Sequence, residues 1–185
     1  MNTKPWMKDV LWYVGLVIVL ILLQVFVFTS VIVSGDSMNP TLVDRERVIS
    51  LKQSKIKRFD IITFPAPDDP GKKYIKRVIG MPGDTIEFEN DQLKINGKKY
   101  DEPYLKEIKE DAGSPLLPEG LPMTKDFKMS EVTGSEKVPE GHFFVMGDNR
   151  QNSKDSRMIG FIDEETVLGD VWISFWPINK MGLVK

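Results

Sequence analysis

Ser37 stands in the stretch VSGDSMNPT (residues 33–41), between Asp36 and Met38. Gly35 and Pro40 on either side favour a tight, fixed turn, and glycine lets a ligand approach the backbone closely. A serine hydroxyl becomes a nucleophile only where a base takes its proton, and this chain offers few bases. It has no cysteine and one histidine, His142. Thiolate chemistry, Cys-based zinc sites and His-rich metal sites are thereby excluded, and a Ser-His-Asp triad would have to use His142. That residue begins the apolar run HFFVM, with no acidic orienter beside it.

Lysine is the remaining base. In KYIKRVIGMPGD (residues 73–84), strand alternation puts Tyr74, Lys76 and Val78 on one face and Ile75, Arg77 and Ile79 on the other. Each face carries a cation among apolar neighbours. A buried arginine must find an acid because it keeps its proton. Lysine has a second option, since desolvation lowers its pKa. At an ordinary value near ~10.4, only about one lysine in ~2,500 is neutral at pH 7, and a fall of two to three units gives a usable general base. A third stretch, MGDNRQNSKDSR (residues 146–157), opens with a Gly-Asp-Asn turn. If it runs extended, Ser153, Asp155 and Arg157 point the same way and form a polar row. Taken singly, the three stretches also read as a linker, a solvated strand-edge lysine and a polar surface loop. Together they supply a Ser-Lys dyad with a polar support.

The elements that must hold these residues begin with an anchor. Residues 11–33 contain twenty-three positions in a row without a charge. As a helix they would span roughly 34 Å, enough for a ~30 Å hydrocarbon core. Trp6, Trp12 and Tyr13 gather at one end like an aromatic belt. The run is too long for a cleavable leader, and it ends in Val-Ile-Val without a small-x-small site. Residues 1–10 form a short tail. Lys4 and Lys8 precede the span while Arg45, Arg47 and Lys52 follow it, so charge bias does not fix the orientation.

Residues 34–185 read as one mostly antiparallel β domain. Strand patterns recur at 47–51, 60–64, 74–79, 85–88, 92–95, 142–146 and 171–176, and Asn96-Gly97 is a hairpin turn with 98–100 returning. One short helix is predicted near 163–168. Trp172 and Trp176 read as core, with presentation to a membrane interface as the alternative. Residues 101–139 are charged, contain prolines and lack apolar runs, which predicts an exposed loop or β-ribbon inserted into the sheet without a core of its own. The chain's 185 residues, 41% hydrophobic and 28% charged, allow one such domain plus an anchor, and a net charge of −2 offers no basic field for nucleic acid.

An anchor followed in order by SGDSMNPTL, RFDIITF, KYIKRVIGMPGD and GHFFVMGDNRQNSKDSRMIGFI resembles the bacterial type I signal peptidases, in their Gram-positive form, over nearly the whole chain. The resemblance implies a membrane-bound serine endopeptidase that removes signal peptides from exported preproteins after Ala-x-Ala-like sites, without metal or cofactor. Its partners would be secretory preproteins emerging from the export machinery, and membrane phospholipids. The topology implied is a single-pass cell-membrane protein with a cytoplasmic N-terminus and an extracytoplasmic catalytic domain. Carried over, Ser37 is the nucleophile and its backbone N–H an oxyanion donor, while Lys76 is the base. Ser153 would hydrogen-bond and orient the lysine amine. Asp155 would pair with Arg157, and Arg77 would hold the acidic loop, with Asp148 in the same turn. Some relatives place a hydroxyl donor two positions before the nucleophile, where this chain has Gly35. Met38, Ile61 and Val78 are candidate pocket residues. Self-cleaving repressors of the damage response share the dyad but carry a DNA-binding domain and lack the GDNR–DSR box. Endoplasmic-reticulum-type peptidases place histidine at position 76. A non-catalytic anchored β module serving as scaffold is the competing class.

Overall fold

A computed structural model describes residues 5–52, 54–111, 114–118 and 120–184; Lys4 therefore lies outside the described residues. Helix α1 (Pro5–Phe26) takes up most of the apolar run. It is long and apolar enough to cross a membrane, and its window of highest hydropathy is wholly unburied. The helix stops well before residue 33. Lys52 Nζ donates to the carbonyls of Val25 (2.6 Å) and Gln24 (3.4 Å), a cation closing the last turn. Beyond it the β-branched sequence FTSVI becomes strand β1 (Phe28–Ile32), pairing antiparallel with β2 (Arg47–Leu51). The predicted 11–33 anchor is thus two elements, and the predicted tail is helical from Pro5 onward.

The main sheet adds β3 (Ile61–Pro65), β4 (Lys73–Gly80), β9 (His142–Met146), β10 (Ile162–Asp163), β11 (Gly169–Trp176) and β12 (Gly182–Leu183). Its order is β1-β2-β11-β3-β4-β9-β10, with β12 against β11. A second sheet, β7-β6-β5-β8, is built from β5 (Ile86–Glu89), β6 (Gln92–Ile95), β7 (Lys98–Tyr100) and β8 (Phe127–Lys128), with Asn96-Gly97 turning β6 into β7. The domain is mostly antiparallel β, as its strand patterns predict. Short helices α2 (Lys106–Glu110), α3 (Met129–Thr133) and α4 (Ser156–Ile159) lie in the connections. The helix predicted near 163–168 is one 3-10 turn, Glu164–Thr166, capped by the Asp163 carboxylate.

Three apolar clusters fix the sheet. Met38, Leu42, Ile61, Ile75 and Val171 pack beneath the Ser37 turn. Ile62, Phe64, Val78, Phe143 and Val145 form a second cluster, while Ile79, Phe88, Leu93 and Phe144 join the two sheets. The excursion departs from expectation because it has a small core: Leu105, Ile108 and Met123 are buried against one another. Trp172 and Trp176 depart too, at 47% and 50% exposed rather than core. Trp176 and Ile32 both pair with Arg47, so one rung of β1, β2 and β11 carries an exposed apolar edge.

Candidate active site

Ser37 lies in the turn after β1, and the turn is tied down at several points. Gly35, at φ +82°, sits in a left-handed conformation that a serine there would strain. Its N–H donates to Asp44 Oδ1 at 2.8 Å. The Ser37 carbonyl accepts from Asn149 N–H at 3.0 Å, and the Asp36 carbonyl accepts from the Asn149 side-chain amide at 3.1 Å. The Ser37 N–H is used by no hydrogen bond among the described residues, so it is available as an oxyanion donor.

Lys76 is in the middle of β4, opposite Ile62 of β3. It is 3% exposed, and Nζ donates to Ser37 Oγ at 2.8 Å and to the Ile75 carbonyl at 2.9 Å. Burial drives its pKa down to about 8, against the upward pull of Asp155 and Asp148. At that value about one molecule in ten holds a neutral amine at pH 7. A hydroxyl and a partly neutral amine at this separation can act as nucleophile and base.

Arg77, next along β4, forks onto Asp148, with Nε to Oδ1 at 2.9 Å and Nη2 to Oδ2 at 2.6 Å. Asp148 also accepts from Thr41 Oγ1 at 2.5 Å, which joins the turn after β9 to the Ser37 turn. The 153–157 segment is not extended. Asp155 caps α4, accepting from Arg157 N–H, so its carboxylate meets the Arg157 guanidinium at 2.8 Å through a helical turn and not along a strand. Burial would raise the Asp155 pKa. Arg157 and the Gly147 N–H outweigh it and hold the carboxyl low, with a last small share from the nearby Ser153 hydroxyl.

Ser153 is the site residue whose expected contact is missing. Its Oγ is buried outside hydrogen-bond geometry with any described residue, and the bonds Nζ of Lys76 makes go to Ser37 and Ile75. Gly147 separates the two halves: a Cβ there would run into Ser153 Oγ and the Ser37 carbonyl, so glycine is needed for this close approach. Beside the dyad opens a cleft of about 420 Å³, lined by Ile32, Val33, Met38, Tyr74 and Ile75 together with Ser37 and Lys76. Of the three pocket candidates only Met38 lies on it. Ile61 is buried in the cluster beneath, and Val78 packs in the second cluster with Phe143.

Thr41, Asn149 and Gly147 were legible as members of the SGDSMNPT and MGDN stretches, although their contacts were not. Glu102 and Tyr104 had no signal at all. They sit in the excursion, yet Tyr104 places its ring 3.8 Å from the Arg77 guanidinium carbon.

A hydroxyl hydrogen-bonded to a buried lysine of lowered proton affinity, on an antiparallel β scaffold beside a cleft, is a pairing able to serve a serine hydrolase. The family model described as "Signal peptidase, peptidase S26" matches residues 5–176. Signal peptidase I of Bacillus caldolyticus is 44% identical over 92% of this chain and 91% of its own. Signal peptidase IB of Staphylococcus aureus (strain COL) is 37% identical over 94% of this chain and 93% of its own. The crystal structure of a signal peptidase I from Enterococcus faecalis superposes with a TM-score of 0.57 at 42% identity, covering 63% of this chain and 97% of that one. The chain belongs to the S26 signal peptidases, on their bacterial type I branch, and is a serine peptidase.

Proposed function

We propose that the protein removes signal peptides from exported preproteins by acylation and deacylation at Ser37, with Lys76 as general base. The observation that carries this is the 2.8 Å bond between Lys76 Nζ and Ser37 Oγ at a lysine only 3% exposed. As Ser37 Oγ attacks the scissile carbonyl, its proton passes to Nζ, and the developing oxyanion meets the Ser37 N–H. Lys76 then returns the proton to the leaving amine. The neutral Lys76 amine then takes a proton from the water that opens the acyl-enzyme and gives it to Ser37 Oγ as that oxygen leaves. The cleft is largely polar, and its aliphatic part at Ile32, Val33 and Ile75 is where small side chains before the cut would lie.

Helix α1 is the anchor, its N-terminus cytoplasmic and the β domain on the far side. Because the helix ends at Phe26, ten residues separate it from Ser37, and a short tether from the bilayer does not place the nucleophile. The exposed edge of Ile32, Trp172, Trp176 and Leu183 suits an interfacial orientation of the sheet, which brings the cleft to the level where a cleavage site leaves the bilayer.

The test is cleavage of an Ala-x-Ala preprotein in detergent-lipid micelles, comparing wild type with Ser37→Ala and Lys76→Ala after confirming that all are folded. Wild type should cut after the second alanine, both variants should lose about 10³-fold or more in rate, and wild-type activity should rise as pH passes about 8. A folded wild type that cuts nothing would favour an anchored scaffold. Full activity in Lys76→Ala would give Ser37 another base.

A further inference from the structure

The excursion reaches the catalytic turns from behind. Its 3-10 turn Pro103–Leu105 is fixed by Leu105, which is fully buried against Ile108 and Met123. That plug presents Glu102 and Tyr104 to two buried arginines. The Arg150 guanidinium meets the Glu102 carboxylate through both terminal nitrogens, with Nη1 to Oε2 at 3.2 Å. It also donates to Thr124 Oγ1 at 3.0 Å and Tyr104 OH at 3.2 Å, and Tyr104 OH donates to Glu102 at 2.8 Å. Arg150 Nε grips the Gly147 carbonyl at 3.0 Å. On its other side the Tyr104 ring covers Arg77, whose fork holds Asp148. One tyrosine therefore touches both cations that secure the 147–150 turn, and that turn holds the Ser37 carbonyl.

We propose that Tyr104, backed by Glu102, is a positioning residue for the catalytic base: it clamps Arg77 against Asp148 and so sets the electrostatic surroundings of Lys76. The reading rests on Lys76 acting as the base. A stacked, forked guanidinium is desolvated and fixed, which keeps Asp148 neutralised at close range. Burial and Glu102 keep the Tyr104 phenol protonated well above its ordinary range, although both arginines act the other way, so the clamp itself does not titrate with the base.

The groups facing Lys76 give the sign of the effect. Tyr74 and Arg77 adjoin it on β4, and Asp148 follows β9. Asp155 caps α4, while Asp36, Lys73 and Lys154 line the same cleft. Asp155 and Asp148 are the two that pull its proton affinity upward. Removing the ring admits water to Arg77 and loosens its fork. Asp148, one of the two carboxylates that pull the Lys76 proton affinity upward, is then less neutralised. That change makes Lys76 hold its proton to higher pH.

The experiment is the pH profile of kcat/KM for the full chain in micelles, beside direct titration of the Lys76 side chain by NMR with isotope-labelled lysine. Wild type, Tyr104→Leu, Tyr104→Met and Tyr104→Phe are compared. Leu and Met keep bulk without a π face and should shift both midpoints upward by about half to one pH unit; Phe keeps the ring and should restore the wild-type midpoint. A purely structural loss would lower activity without moving the midpoint. If the wild-type kinetic limb does not coincide with the Lys76 titration, the base assignment fails and the clamp with it. If they coincide in wild type, and neither moves in whichever of the Leu and Met variants folds, the base stands and the clamp is overturned.

Discussion

Lys76 and the arginine cradle behind it are buried alike and treated in opposite ways. Lys76, Arg77 and Arg150 are 3%, 1% and 3% exposed. Arg77 is forked onto Asp148, and Arg150 onto Glu102. Burial works against the Arg150 charge, and Glu102, with Tyr104 and Asp148, more than offsets it, so its pKa is raised. Lys76 has no carboxylate within ion-pair distance among the described residues, and its bonds go to a hydroxyl and a carbonyl. Only the cation able to shed its proton is left without an acid. Moving a lysine from 10.5 to about 8 corresponds to about 3 kcal/mol of destabilisation of the charged form. The sign follows from the lowered folded-state value. The penalty is fully present below pH about 8 and fades as pH rises towards 10.5, where the unfolded lysine also becomes neutral. Under the proposed mechanism, withholding a partner is what would make Lys76 a base, at a cost in stability.

The largest effect should come from erasing the difference between the two kinds of cation. Lys76→Arg keeps a positive charge in the cleft and removes the ability to give up the proton. Turnover should fall about 10³-fold, as far as in Lys76→Ala, at every pH from 6 to 10. An arginine variant retaining a tenth of wild-type turnover would show that position 76 works as a fixed charge. The converse change, Arg77→Met, strands Asp148 as a buried carboxylate without its cation. Chemical denaturation should show a loss of about 3–5 kcal/mol. A loss below about 1 kcal/mol would mean that the cradle is not held by this pair.

How far the site could be read in advance follows from the range of its interactions. Strand alternation places Lys76 and Arg77 on opposite faces of β4, and strand limits at Arg47–Leu51, Gln92–Ile95 and His142–Met146 match the pattern of apolar runs. Ser37 and Lys76 stand out only in combination, since singly a serine turn reads as a linker and a strand lysine as a solvated edge. The break at Phe26 was hidden because FTSVI is as apolar as a membrane helix, and only pairing with β2 shows it to be a strand. The row expected of Ser153, Asp155 and Arg157 fails for a local reason: alternation assumes an extended chain, whereas Asp155 starts a helix there and accepts from Arg157 N–H. Glu102 and Tyr104 were invisible because their partners lie 48 and 46 residues away in Arg150, and composition carries no trace of such a pairing.

Asp170 gives the smallest and most discriminating comparison, since it is a half-buried acid away from the cleft with no ion-pair partner among the described residues. Burial first, then Asp60, raise its pKa to about 6, with Lys57 opposing. It sits on a second cavity, with Ile61, Val171 and Trp172, where no nucleophile approaches it. A raised carboxyl destabilises the fold in its charged form. The cost is absent below about pH 4 and grows through pH 6, where the folded-state group ionises. Asp170→Asn should therefore stabilise the protein above pH 6 by roughly 1 kcal/mol, a figure reduced because the group is only half buried, and by nothing at pH 4. Urea denaturation at pH 4 and 7.5 checks both halves, and preprotein cleavage should stay at the wild-type rate. Loss of cleavage without loss of stability would bring the second cavity into the reaction. An unchanged rate would mean that a perturbed proton affinity is not enough to make a site, and that what sets Lys76 apart is a hydroxyl held at 2.8 Å by a turn anchored on Asn149 and Asp44.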